Sequence, residues 1–207
     1  MPSSELSIPG VRWVLEQPKD LQQVLKYLLE NGKKIVVRNV QYREILGVII
    51  KTPISFMVDE LVAGSYFDPY IAIARARYII EELADELAKM PSELQLDKNT
   101  RKAYAIKPDW YWSGHDPCIM AMQAMVRDGK IDGYVFMRSS DCLNGFPYDW
   151  TASSGILVEL AKRSNSGKYV DQDIPTGSLT FFISNLHVRE EDVERIKALW
   201  ENSQPKS

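Results

Sequence analysis

Apolar residues recur along the chain with two different spacings, and each change of spacing marks a new element. From Asp20, DLQQVLKYLLENG sets Leu21, Val24, Leu25, Leu28 and Leu29 at helical intervals and ends on Asn31-Gly32, which predicts a helix. KKIVVRNV and REILGVIIKTP are rich in β-branched residues and end at a proline, predicting two strands or a strand, turn and strand. Between Pro69 and Met90, IAIARARYIIEELADELAKM is made of helix formers with Ile73, Ala76, Ile80, Leu83 and Leu87 on one face, and Pro91 is expected to stop it. TRKAYAIKPDWYW reads as a strand entering an aromatic loop, and residues 116–141 as a hairpin. WTASSGILVELAKR then predicts a helix with Thr151 as its N-cap, GSLTFFISNLHV a nearly continuous apolar strand, and REEDVERIKALWENS a closing helix. Residues 1–20 carry Pro2, Pro9, Gly10 and Pro18 and read as an irregular arm. Strands in the middle with helices beside them predict an α/β (α+β) domain around a largely buried sheet.

Composition narrows the class. A chain of 207 residues, 45% apolar and 26% charged, can bury one substantial core, so residues 1–207 are expected to form a single domain. Two cysteines, Cys118 and Cys142, are too few for a disulfide framework. With no charged-then-apolar leader pattern, the expected home is the reducing cytoplasm. No apolar run reaches the length of a membrane span. A net charge of -3 argues against a dedicated nucleic-acid binder and leaves room for a local basic pocket that holds one phosphate. The expected partner is a small molecule.

Chemistry concentrates in DPCIMAMQAMVRDGKIDGYVFMRSSD, residues 116–141. Asp128-Gly129 tolerates the positive φ angles of a two-residue reversed turn, so Arg127 is expected opposite Lys130. Counting back along both arms sets Cys118 opposite Ser139, with Arg138 on the other side unless a bulge intervenes. The register thus brings a thiol to an Arg-Ser-Ser-Asp cluster, and a nearby guanidinium favours the nucleophilic thiolate. Taken alone, Cys118 also reads as a small buried hydrophobe and Arg138 with Asp141 as a surface ion pair.

The order of motifs adds a further sign. A Pro-Cys step, an apolar strand, DGK, a second strand, RSSD, GFPYD and finally GSLTFFISNLHV together resemble the thymidylate synthase family, which includes pyrimidine nucleotide hydroxymethylases. The resemblance spans roughly residues 31–200 and is most specific over 117–149. It implies a large, mixed, twisted sheet flanked by helices, and an enzyme that transfers a one-carbon unit from 5,10-methylenetetrahydrofolate to a pyrimidine nucleoside monophosphate. Carried over, Cys118 is the nucleophile that adds to C6 of the ring, which makes C5 a carbon nucleophile. Arg138 and Ser139 bind phosphate, Asp141 meets the folate pterin, and Gly145 allows the base a close approach. Arg38, in VVRN, matches another phosphate arginine. Arg101 and Lys102 match a basic pair that reaches the neighbouring subunit's phosphate, implying a homodimer with shared sites. Glu82, with Glu81 one position away, matches a proton-shuttling glutamate, and His187 a histidine that binds a sugar hydroxyl.

The departures from the family pattern bear on substrate. Asp149 stands where a thymidylate synthase has asparagine. An amide both donates and accepts, as uracil recognition requires, whereas a carboxylate accepts from the amino group of cytosine. The expected reaction is therefore 5-hydroxymethylation of dCMP or CMP, the alternatives being a dUMP methylase or hydroxymethylase and a non-catalytic nucleotide-binding protein. Arg189 replaces a sugar-binding tyrosine, which leaves the sugar open. The chain ends soon after HVREEDVERIKALW, so folate use is less firmly implied than nucleotide binding. A cysteine hydrolase using His115 or His187 is disfavoured, because no oxyanion-type glycine motif accompanies the thiol.

Overall fold

The computed structural model of the chain describes residues 11–54, 69–106, 118–165 and 174–203. In chain order its elements are β1 (Val11–Val14), α1 (Leu21–Asn31), β2 (Lys33–Val37), β3 (Val40–Pro53), α2 (Pro69–Glu82), α3 (Ala84–Leu96), β4 (Tyr104–Ile106), β5 (Ile119–Arg127), β6 (Lys130–Met137), β7 (Ser140–Asp141), α4 (Phe146–Asn165), β8 (Thr176–Arg189) and α5 (Val193–Ser203). One eight-stranded sheet has the order β1-β3-β8-β6-β5-β4, with β2 beside β3 and β7 beside β8. β1/β3, β6/β8 and β7/β8 are parallel and the other pairs antiparallel, so the architecture is a mixed sheet flanked by helices, as the sequence implied. No described helix is long and apolar enough to cross a membrane.

Alternation explains which sheet face is covered. Along the strand centres Val48, Ile50, Met122, Ala124, Val135, Met137, Leu179, Phe181 and Ile183 are buried and share one core with α1 and α4. A Cβ on Gly133 would lie 3.1 Å from a Leu157 methyl, so the missing side chain lets α4 sit close against β6. On the opposite face, cross-strand neighbours Ile49, Phe182, Phe136, Ala121 and Ile106 form a row through five strands. Phe136 and Phe182 stack with ring centres 5.0 Å apart, yet Phe136 stays 37% exposed and Ile106 49%.

At one end the sheet changes character. The burial alternation of β8 switches between Ile183 and Leu186, and that of β5 between Ile119 and Met122. A bulge interrupts the β5/β6 register between Ile119 and Ala121, and β3 carries Gly47 at φ 69° between its pairings to Asn185 and Ile183. These irregularities fall on neighbouring rows, so the strand ends bend together and open a concave region beyond the core.

Several sequence expectations need correction. Pro91 does not stop a helix: the break comes at Leu83 (φ -114°, ψ 11°), and α3 runs through the buried Pro91 to Leu96. The buried stripe of α2 is rotated from the expected one, with Ile79 buried while Ile73 and Ile80 are 52% and 45% exposed. Helix α4 begins at Phe146, and Thr151 is inside it, its hydroxyl donating to the Pro147 carbonyl at 3.0 Å instead of capping. The earlier start is set by Gly145, whose carbonyl accepts from Tyr148 and Asp149 amides, and by Pro147, which fits a first helical turn because no N-H is needed there. Residues 1–10, the first half of the expected arm, lie outside the described residues.

Candidate active site

The bulge in β5 decides what faces Cys118. Arg127 pairs with Lys130 and Ala121 with Phe136, as the Asp-Gly turn dictates, but Ile119 pairs with Met137, one residue out of step. The Arg138 amide accordingly donates to the Cys118 carbonyl at 2.9 Å, so Arg138, and not Ser139, stands opposite the cysteine. Cys118 is half-buried. Cys142 is fully buried, and loss of solvation raises its thiol well above the usual range, which keeps it protonated and inert.

A second arginine, which the sequence reading missed, reaches the thiol from α2. Arg75 donates from Nε to Asp149 Oδ1 at 2.6 Å and from Nη2 to Oδ2 at 3.4 Å, and it also hydrogen-bonds the Cys118 sulfur. Asp149 is 1% exposed, near the start of α4. Burial raises its carboxyl above the ordinary carboxylate range, and the charge and hydrogen bond of Arg75 offset only part of that rise. Burial lowers Arg75 in turn, but Asp149, with a smaller contribution from Cys118, holds the guanidinium net above its usual value. The short Nε contact is that of an ionised pair. A signal for Arg75 did exist: it precedes the buried Ile79 and Leu83 by one and two i,i+4 steps, which places a charge on a buried stripe.

Beside this cluster, where the strands bend, lies a cavity of about 680 Å³ lined by Arg38, Arg138, Tyr42, Glu44, Asn185 and His187 among others. Its polar groups are ordered by one chain of hydrogen bonds. Glu44 can only accept, so Asn185 must turn its Nδ2 toward Glu44 Oε2 and its Oδ1 toward His187 Nδ1, 2.9 Å away. An amide oxygen accepts only; Nδ1 therefore carries the hydrogen. Burial lowers the His187 pKa, with Asp141 opposing, and the neutral ring is left with Nε2 as an acceptor. Tyr42 fixes the ring edge-on, centroids 5.3 Å apart.

Other sequence-predicted residues have different surroundings. Asp141 spends Oδ1 on the amides of Leu143 (3.0 Å) and Asn144 (2.8 Å), while among the described residues Oδ2 meets only the Asn144 side chain at 3.4 Å. Gly145 is buried under Asp141, where a Cβ would lie 3.1 Å from the Asp141 carbonyl oxygen; what it approaches closely is this turn. Ser139 is half-buried between β6 and β7. Arg189 is exposed and donates to Glu191 at 3.0 Å; it pairs across the strands with Tyr42 of the cavity lining without lining the cavity itself. Arg101 and Lys102 are exposed just before β4, and the Arg101 carbonyl accepts from Gln123 at 2.8 Å. Gln123 is about 17 Å along β5 from Cys118, so the basic pair does not join the cavity of its own chain. Glu82 ends α2, but its side chain lies outside what is described, as does His115.

No protein-family model matches the chain. It is 29% identical over 87 residues to the deoxycytidylate 5-hydroxymethyltransferase of Enterobacteria phage T4, a match covering 42% of this chain and 35% of that protein. The corresponding enzyme of phage T2 is 34% identical over 71 residues, 34% of this chain and 28% of the relative. A thymidylate synthase of Mycoplasma pneumoniae is 27% identical over 118 residues, 55% of this chain and 38% of the relative. The chain thus spans only about a third of the length of the curated relatives it matches. With the motif order and the mixed sheet, these matches make the chain a distant relative of the thymidylate synthase family, the group of the deoxycytidylate hydroxymethyltransferases.

Proposed function

We propose that the protein transfers a one-carbon unit to C5 of a cytosine nucleotide, dCMP or CMP, yielding the 5-hydroxymethyl product. The observation that carries this reading is the Cys118, Arg75, Asp149 cluster beside a cavity edged by two more arginines. Arg38 and Arg138 suit a phosphate dianion, and Ser139 adds a hydroxyl donor beside Arg138. His187 Nε2 and the Glu44 carboxylate accept from sugar hydroxyls. The base lies against Cys118, with its amino group donating to Asp149. An ionised carboxylate repels the O4 of uracil, so the same group that selects cytosine excludes dUMP.

The Cys118 sulfur adds to C6, the ring electrons move to C5, and C5 attacks the one-carbon unit; loss of the C5 proton expels the carrier nitrogen and leaves an exocyclic methylene on C5, and water then adds to that methylene as the C5–C6 double bond re-forms and the sulfur leaves. Methylenetetrahydrofolate would supply the one-carbon unit. Asp141 fits its pterin, because Oδ2 retains capacity for a donor while Oδ1 is held by the turn. Glu82 is the residue assigned to proton transfer at the ring. Arg101 and Lys102 serve the phosphate of a second copy, and the open apolar row through Phe136 and Phe182 supplies the surface on which two copies associate.

Tritium release from 5-tritiated nucleotides tests the reading. Release is expected from dCMP or CMP in the presence of methylenetetrahydrofolate, and Cys118→Ser lowers it by about a thousandfold or more. Release from dUMP alone overturns the base assignment, and undiminished release in C118S overturns covalent catalysis.

A further inference from the structure

We infer that Arg75 is the positioning cation shared by the nucleophile and the base-selecting carboxylate, so that the occupation of Asp149 sets the reactivity of Cys118. This rests on the roles proposed above for those two residues, but it concerns a residue to which the family resemblance gave none.

The guanidinium grips Asp149 unevenly, with one contact of 2.6 Å and a second at the limit of a hydrogen bond, 3.4 Å. A symmetric bidentate pair would use both nitrogens fully. Here the remaining N-H capacity goes to the Cys118 sulfur. Arg75 reaches the sulfur from α2 and meets Asp149 of α4, while Arg138, just past β6, touches Cys118 through its backbone amide. Among the described residues, Arg75 is the cation that bonds both Asp149 and Cys118. Its side chain is 34% exposed against 1% for Asp149, so the carboxylate is fixed and the cation has room to adjust. In the resting site Arg75 is thus divided between the carboxylate and the sulfur. A base amino group that donates to Asp149 draws off part of the carboxylate's charge, and Arg75 is then spent on the sulfur. Recognition of cytosine and activation of the nucleophile become one event.

The pH profile of Cys118 alkylation by iodoacetamide, followed on the Cys118 peptide by mass spectrometry, reads this directly and needs no nucleotide. Asp149→Asn leaves Arg75 unpaired beside the sulfur, and the profile is expected to move about one pH unit toward acid. R75M/D149N, which retains neither charge and so leaves no buried ion to disrupt folding, moves it back toward alkaline by about as much. Coincident profiles for D149N and R75M/D149N overturn the inference. Failure here with tritium still released from a cytosine nucleotide removes Arg75 and leaves the proposed reaction. Shifted profiles without any release do the reverse.

Discussion

Arg38 occupies a backbone conformation that an arginine does not choose. It and Asn39 form the two-residue turn between Val37 and Val40, with φ of 49° and 66°. Asparagine tolerates this region, but for most L-residues it costs on the order of 1 kcal/mol. Among the described residues no hydrogen bond or ion pair offsets that cost, and the side chain faces the cavity. Strain of this kind at a cavity mouth points to a ligand role. Arg38→Asn is therefore expected to raise stability by up to about 1 kcal/mol while weakening nucleotide binding about tenfold, since a charge-assisted contact is lost. Thermal unfolding and calorimetric titration with CMP check the two halves separately; unchanged affinity would remove Arg38 from the phosphate site. The candidate ligands Arg38, Arg138 and His187 were legible because each sits in a short motif. Arg75 was not, because its meaning depends on which face of α2 turns inward, and α2 has more apolar residues than one face can bury.

Elements are tied together near the cavity by one acid. Glu190, following β8, accepts from Arg43 Nε and Nη2 at 2.8 Å each, and Lys34 lies 3.1 Å from it. Arg43 also donates to the Leu29 carbonyl near the end of α1. The hydrogen bond from Arg43, with help from Lys34, holds Glu190 at about 2 against an ordinary 4.5. The folded pKa is depressed, so the stabilisation is complete above pH 4.5 and is lost as pH falls toward 2. Glu190→Gln is expected to cost on the order of 2 kcal/mol at neutral pH. Its urea midpoint should converge with that of the parent as pH drops through this window; a constant gap between the two would show that the pair is not ionic in origin. Element boundaries show where local sequence stops being informative. The Asp-Gly turn predicted the β5/β6 register from its closed end, but the bulge at Met120 carries no glycine or proline to announce it. That single residue exchanges Ser139 for Arg138 opposite the cysteine. The break at Leu83 is equally silent, since leucine is a good helix former and its position is set by packing.

At the scale of the molecule, a basic pair some 17 Å along β5 from the nucleophile is too distant to serve a phosphate in the cavity of its own chain. A second copy supplies one within reach if two chains meet on the row Ile49, Phe182, Phe136, Ala121 and Ile106, whose exposure a lone chain leaves without purpose. A two-fold axis there would give each copy the same surface, and each basic pair the cavity of the other chain. Phe136→Glu places a charge at the centre of that row on the open face, where it does not disturb the core. It is expected to convert a sedimenting dimer into a monomer with little loss of secondary structure, and to abolish tritium release although every cavity residue is intact. Mixing restores function in a way that a self-contained site cannot imitate. C118S supplies a sound basic pair and a dead nucleophile, and an R101M/K102M variant supplies the opposite. Each is expected to be inactive alone. When the two are unfolded and refolded together in equal amounts, random pairing makes about half of the dimers mixed, and one of the two sites in each mixed dimer is whole, so activity returns to about a quarter of the parent. Mixtures that stay inactive would return Arg101 and Lys102 to the role of solvated surface charges.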